Sequence, residues 1–419
     1  MNHFQYRGGE LFAEDVPIER IAAEVGTPCY VYSLATLRRH YRVFDEAFAA
    51  IPHVICYSIK ANSNLAVIRA FAREGSGFDI VSGGELFRAL RAGADPRKIV
   101  FSGLGKTRHE IGYALREGIL CFNVESSPEL DVLDAVAGES GRKAPIAIRV
   151  NPDVDPKTHP YISTGMKKSK FGIEIRRALE EYERARAFRH LEVVGVDCHI
   201  GSQLTDVSPF ADALGRVREL VLELRRRGFS IRYLDFGGGL GITYDDERPP
   251  EPRDYAAAVL RGIDGVGDLT LLLEPGRVLV GNAGILLTKV LYLKQTETKR
   301  FVVVDGAMND LIRPSLYDAY QKIEPVRREE RPSSKVDVVG PVCESGDFFA
   351  RDRELAEVGA DELLVVRSAG AYGFVMSSNY NSRPRVAEVL VDGKDVHVVR
   401  SRETLEDLVR GESIPEFLR

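Results

Sequence analysis

The chain contains no tryptophan and only five cysteines, Cys29, Cys56, Cys121, Cys198 and Cys343, in 419 residues. Their odd number and wide spacing argue against a disulfide framework and for a reducing, cytoplasmic setting. No C-x-x-C pair occurs, so no zinc-type ligand set and no metal is expected. Long clean apolar runs are missing. The nearest, VLVGNAGILLTKVLYL, carries Asn282, Lys289 and two glycines, so no membrane span is expected. The opening MNHFQYRGGELFAED lacks the basic start and apolar core of a signal peptide. An excess of positive charge is missing as well. With 57 Lys and Arg against 62 Asp and Glu the net charge is −5, and no basic face for nucleic acid announces itself. No internal repeat or low-complexity segment stands out.

What is present is 44% apolar residues in a chain long enough for a large core and two domains. From about residue 54 to residue 276, short strand-like runs alternate with helical patterns. The strands read VICYSIKA, GFDIVS, KIVFSG, LCFNVES, APIAIRVN, VVGVDCHIG, IRYLDFGGG and TLLLEPG. Between them lie NLAVIRAFAREG, GELFRALRAG, RHEIGYALREG and PFADALGRVRELVLELRRRG, several closing on glycine. Strands alternating with helices imply βαβ units and a parallel sheet. Eight such units in this length fit a (β/α)8 barrel, with a doubly wound open sheet as the alternative. After residue 281 the rhythm changes to strands with few helices, ending in a hairpin signal, VDGKDV. This half reads as an antiparallel β-rich, sandwich- or barrel-like domain, which the extended N-terminal segments ELFAED and TPCYVYS can join. The expected organisation is N-terminal strands over 1–32, the barrel over 33–281 and the β-rich domain over 282–419. DDERPPEPRDY reads as a solvated loop.

Barrel chemistry sits at the C-terminal ends of the strands. Lys60 ends the first strand, Asp79 lies late in the second and His199 ends the sixth. Gly237, Gly238 and Gly239 end the seventh, and Glu274 ends the eighth. Each residue alone also has a structural reading: a lysine that snorkels to water, a satisfied core histidine, a glycine turn, a turn with a surface arginine. Their coincidence at strand ends favours a site. A desolvated lysine amine is a nucleophile suited to an aldehyde. A glycine run lets backbone N–H groups approach an anion, and GGGLG lacks the third glycine of a dinucleotide fingerprint, so it suits a single phosphate. A carboxylate at the eighth strand end can pair with a protonated ring nitrogen.

YSIKAN, HIGSQ, FGGGLG, EPGR and CESGD occur in that order, joined by HPYISTGMKKSKFGI, AMNDLIRPSLYDAY and AGAYGF. The set resembles the fold-type III, alanine racemase-like family of pyridoxal phosphate (PLP) decarboxylases, and within it the diaminopimelate branch, over nearly the whole chain. The resemblance implies that Lys60 holds the PLP aldehyde covalently, that His199 stacks on the ring and that Glu274 keeps its nitrogen protonated. It places Ser202, Gly238, Gly239, Gly276, Arg277 and Tyr372 around the phosphate, with Asp79 and Pro275 also at the cofactor. It assigns Arg277, Arg313 and Tyr317, with Tyr372, to the end of the substrate that does not react. Cys343, as proton donor, and Glu344, as contact to the distal ammonium, come from the second subunit of a homodimer. The implied reaction is decarboxylation of meso-2,6-diaminopimelate to L-lysine and CO2. A racemase of the same barrel family is expected to carry an arginine where Glu274 stands. The runner-up is decarboxylation of ornithine, arginine or lysine, whose substrates lack the distal carboxylate that Arg277 and Arg313 suit. A partner-binding regulator of the same fold would be expected to lose Lys60 or Cys343. A PLP-free phosphate-binding barrel is the remaining alternative.

Overall fold

A computed structural model describes residues 2–154 and 170–419, so most of HPYISTGMKKSKFGI (159–173) lies outside the described residues. The chain divides into two compact units, residues 37–279 and residues 1–36 with 280–419.

The first unit is a closed barrel. Its strands are His53–Ser58, Gly77–Ile80, Ile99–Phe101, Cys121–Val124, Ala144–Asn151, Leu191–Asp197, Tyr233–Asp235 and Thr270–Leu273. Each pairs in parallel with the next, and the last pairs with the first through Leu271–His53, Leu272–Val54 and Leu273–Ile55. That closure rules out the open sheet. Helices alternate with the strands, as the 3.6-residue apolar spacing dictates. Arg108–Glu117 carries a reciprocal Thr107–Glu110 capping box and stops at Gly118, which takes φ +71°. One expectation fails: DDERPPEPRDY is not all loop, because a helix begins at Pro252 and buries Tyr255. Proline at the first helical position loses no hydrogen bond, so EPRDY starts a helix rather than extending the turn.

The second unit is a mixed, mainly antiparallel sheet. Its strands run in the order Phe348–Ala356, Ser333–Val339, Arg300–Val304, Gly284–Gln295, Cys29–Ser33, Ala387–Asp392 and Asp395–Arg400. TPCYVYS thus supplies a central strand, parallel to Ala387–Asp392 and antiparallel to Gly284–Gln295. ELFAED lies in a small sheet of three strands, and Leu11 N–H donates to the Val326 carbonyl at 2.9 Å. VDGKDV turns between the last two strands at Gly393, φ +59°. Leu11, Ile18, Val31, Ile285, Leu287, Val365 and Val389 form this unit's core. No helix among the described residues is long and apolar enough to cross a membrane.

Candidate active site

Period-two alternation along the barrel strands builds the site in layers. Cys56, Val100, Cys121, Val194 and Leu272 pack with Tyr233 into an apolar plug inside the barrel. Two residues nearer the C-terminal end stand Ser58, Ser102, Asn123, Asp235 and Glu274. Asp79 is in register with Ser58, Asp197 with Asp235, and Arg149 with Asp197. Each strand therefore contributes one polar side chain to a ring above the plug, and all eight are buried.

Hydrogen bonds join much of the ring, although Asp197 Oδ1 is buried without a partner among the described residues. Ser58 Oγ donates to Asp79 Oδ2 at 2.8 Å and to the Glu274 carbonyl at 3.0 Å. Ser102 Oγ donates to Glu274 Oε1 at 3.2 Å. Asn123 Nδ2 donates to Asp235 Oδ2 at 3.0 Å and to Ser102 Oγ at 3.2 Å. Arg149 Nη1 pairs with the buried Glu125 at 2.7 Å. Glu125 also accepts from the N–H groups of Gly103 and Gly172, at 3.1 and 2.8 Å.

Lys60 does not sit in the strand. VICYS is extended to Ser58, and Ile59–Ala61 is a single 3₁₀ turn. Local polar bonds end the strand there. Tyr57 OH donates to the Asn62 carbonyl at 2.9 Å, Asn62 Oδ1 accepts from Asn64 N–H at 3.1 Å, and Asn64 caps the following helix. The turn lifts the Lys60 amine to the mouth, where Nζ meets the fully buried Asp79 Oδ2 at 2.5 Å with the lysine side chain 37% exposed. The opposite oxygen, Asp79 Oδ1, is buried without a hydrogen-bond partner among the described residues.

Two loops face this turn. In HIGSQ, the Gln203 side-chain amide bonds Ile242 both ways, donating to its carbonyl at 2.6 Å and accepting from its N–H at 3.1 Å, while Leu204 N–H donates to the Gly239 carbonyl. The loop of Gly237–Gly239 is thereby clasped against it. A Cβ at Gly237 would stand 2.4 Å from His199 Nδ1, and one at Gly238 would stand 2.2 Å from the Glu274 carbonyl oxygen. Only glycine fits this cradle. EPGR closes the other side: Ser58 N–H donates to the Pro275 carbonyl at 3.1 Å, and Gly276 packs on Ser58 and Ala61. Arg277, buried, donates to Tyr244 OH at 2.7 Å and to Ser202 Oγ at 3.3 Å. His199 Nδ1 accepts the Gly238 N–H at 3.2 Å. Burial first, then the cations Arg149 and Lys60, hold His199 far below the usual imidazole range, so the ring is neutral.

The carboxylates carry the opposite perturbation. Burial, then Asp235 and Asp79, push Glu274 well above the usual carboxylate range, against Lys60 and Arg149. Burial and the facing Asp197 push Asp235 up to about 7. A carboxyl group raised in this way binds a proton in the folded chain that the unfolded chain has already released. Its contribution to stability is therefore lost as pH climbs from about 4 to about 7. Asp235→Asn removes that share: the thermal midpoint of cofactor-stripped protein, scanned from pH 5 to pH 8, should fall less steeply than in the parent. An unchanged slope would show that Asp235 stays ionised throughout.

In the barrel unit the structure brings together Lys60, Asp79, His199, Ser202, Gly238, Gly239, Glu274, Pro275, Gly276 and Arg277. Arg313, Tyr317, Cys343, Glu344 and Tyr372 fall in the β-rich unit. There Ser315, in the helix Arg313–Tyr317, donates to the Gly346 carbonyl at 2.6 Å, joining that helix to CESGD. Arg313 is buried, whereas Cys343 is exposed, unlike the other four cysteines. Cys343 N–H donates to Asn381 Oδ1 and Tyr380 OH donates to Glu344, at 2.8 and 2.7 Å. Tyr372 holds a left-handed φ of +54°. Asp347 is buried and accepts from the N–H groups of Met308 and Val342, both at 2.7 Å, which shapes the loop. Sequence reasoning missed Ser102, Asn123, Arg149, Asp197 and Asp235. Their signal was one polar residue closing each apolar strand.

These residues suit PLP. A lysine amine stands at the mouth, a glycine cradle with Ser202 and Arg277 suits a phosphate, and a buried carboxyl bonded to the neutral Ser102 suits a ring cation.

Residues 34–281 match the family described as pyridoxal-dependent decarboxylase, pyridoxal binding domain. The chain is 58% identical to the diaminopimelate decarboxylase of Pseudomonas aeruginosa over 414 residues, 99% of each chain. It resembles the structure of diaminopimelate decarboxylase from M. jannaschii in co-complex with L-lysine, at 40% identity and TM-score 0.95, covering 100% of both chains. The Helicobacter pylori enzyme complexed with L-lysine is 44% identical, with TM-score 0.91 over 94% of this chain and 98% of that one.

Proposed function

The chain belongs to the pyridoxal-dependent decarboxylases, in their diaminopimelate decarboxylase branch, and from that premise we propose residue roles for its reaction. The reaction is PLP-dependent decarboxylation of meso-2,6-diaminopimelate to L-lysine and CO2. When bound, the pyridoxal ring supplies the sink for the electron pair left on the α-carbon as CO2 departs. Lys60 anchors the cofactor aldehyde, and Asp79 receives its ammonium when the amine is free. His199 supplies a neutral stacking face. Gly238, Gly239, Ser202, Gly276 and Arg277, with Tyr372, line the phosphate side, and Asp79 and Pro275 also stand at the cofactor. Arg277, Arg313 and Tyr317, with Tyr372, bind the carboxylate that stays. Cys343 of a second copy returns a proton to the α-carbon, and Glu344 of that copy receives the distal ammonium. The exposure of Cys343 supports this sharing between copies.

The observation that carries the reading is Glu274. A buried carboxyl among further buried carboxyls, hydrogen-bonded to the neutral Ser102, ionises readily only beside a cation, and a protonated ring nitrogen would be such a cation. The test supplies purified holoenzyme with meso-diaminopimelate and, separately, with L-ornithine. L-lysine and CO2 should form in equal amounts from the first, with ornithine turned over at least about a hundredfold more slowly for want of the distal carboxylate. Equal turnover of ornithine would overturn the substrate assignment. Borohydride reduction and peptide mapping should place the pyridoxyl group on Lys60, and a label on another lysine would overturn that role.

A further inference from the structure

Asn123 is fully buried in the ring. Its amide nitrogen has two hydrogens and three acceptors within reach: Asp235 Oδ2 at 3.0 Å, Ser102 Oγ at 3.2 Å and Glu274 Oε1 at 3.4 Å. Its own oxygen faces the Cys121 thiol at 3.9 Å, which fixes the amide orientation. The two shorter contacts take the two hydrogens. Ser102, having accepted from Asn123, has its hydroxyl hydrogen left for Glu274. Donation thus runs outward from one amide to two carboxyl groups: directly to Asp235, and through Ser102 to Glu274.

Resting on the reading of Glu274 as partner of the ring nitrogen, we infer that Asn123, acting through Ser102, is a positioning residue that fixes the Glu274 carboxyl and keeps it from sharing a proton with Asp235. The charges around the pair explain the need. Asp79, Asp197, Asp235 and Glu274 face the two cations Lys60 and Arg149, the latter already paired with Glu125. Buried carboxyl groups in such surplus share protons whenever they approach. A proton trapped between Asp235 and Glu274 would leave Glu274 unable to answer the ring cation. A neutral double donor between them satisfies both acceptors without supplying a proton.

The test is a double-mutant cycle read in cofactor affinity. Stripped protein is reconstituted with PLP and the dissociation constant taken from absorbance, for the parent, Asn123→Ala, Glu274→Gln and the double variant. Asn123→Ala should weaken PLP binding about tenfold in the parent background, the size of one lost hydrogen bond to a charged group, and have no further effect beside Glu274→Gln. In the holoenzyme, kcat for diaminopimelate should fall about tenfold or more while KM stays within about twofold. Equal losses in both backgrounds would mean that Asn123 only packs the barrel, and the inference falls. Should Asn123→Ala not fold, Ser102→Ala is put through the same cycle with the same expected coupling. If Glu274→Gln itself kept parental PLP affinity and turnover, the ring-nitrogen reading would fall first. If Glu274→Gln is impaired while Asn123→Ala and Ser102→Ala are not, only the positioning role is lost.

Discussion

Lys60→Ala should retain a folded barrel and still bind PLP, while kcat falls by about three orders of magnitude or more. The geometry explains both halves. The Gly237–Gly239 cradle, Ser202 and Arg277, proposed to hold the phosphate, are fixed by contacts such as Gln203–Ile242 and Arg277–Tyr244 that do not involve Lys60, so PLP binding should survive. Among the described residues the buried lysine amine near the ring, Lys106 Nζ, is already committed to the carbonyls of Gly103 and Asn123 and to Glu129, all at 2.7 Å. The variant also strands Asp79, whose Oδ2 keeps only the Ser58 hydroxyl. A buried carboxylate that loses its cation is an uncompensated buried charge, so the variant should also be less stable than the parent. Steady-state turnover, PLP content and the thermal midpoint read these effects separately. Residual turnover of more than a few per cent would mean that another group does the anchoring.

The second large effect concerns the proposed dimer. Cys343→Ala and Lys60→Ala proteins should each be nearly inactive. Mixed in equal amounts after reversible dissociation, they should recover about a quarter of parental activity per total site. Random pairing makes half of the dimers mixed, and one of the two sites in each mixed dimer then holds both Lys60 and Cys343. Subunit exchange is followed independently by mass-tagged copies. Exchange without recovery would assign Cys343 to the site of its own chain, or to no site. A cysteine buried in the β-rich core could not serve any partner, so the exposure of Cys343 is a necessary condition, and it is met.

Much of the barrel was legible because its strands are short apolar runs between helices that stop at glycines, and local patterning of that kind survives folding. Lys60 shows where legibility ended. A strand-forming run up to Ala61 reads as one strand, but hydrogen bonds involving Tyr57, Asn62 and Asn64 cut it at Ser58. The start of the helix at Pro252 was hidden in the same way, by a proline that punctuates both turns and helix starts. Asp197 was hidden differently. A register shift between Val193 and Gly195 breaks the simple alternation, so its place in the ring follows only from its pairing with Asp235. Asn123 and Ser102 were overlooked because each is an unremarkable polar residue at a strand end. Their meaning comes from alignment across strands far apart in sequence.

The layered interior also bears on which changes of length the chain can absorb. In the strands leading to Ser58, Ser102, Asn123, Asp235 and Glu274, plug and ring are consecutive same-side positions, so removing or adding one residue inside such a strand turns one of them outward, toward the helices. An apolar side chain leaves the plug or a polar group enters an oily shell in a single step. A substitution, by contrast, alters one position and leaves its neighbours pointing as before. Insertions and deletions should therefore be accepted in solvent-facing connections such as residues 245–250 and rejected within His53–Ser58 or Cys121–Val124, so that this barrel can drift in spelling far more easily than in length.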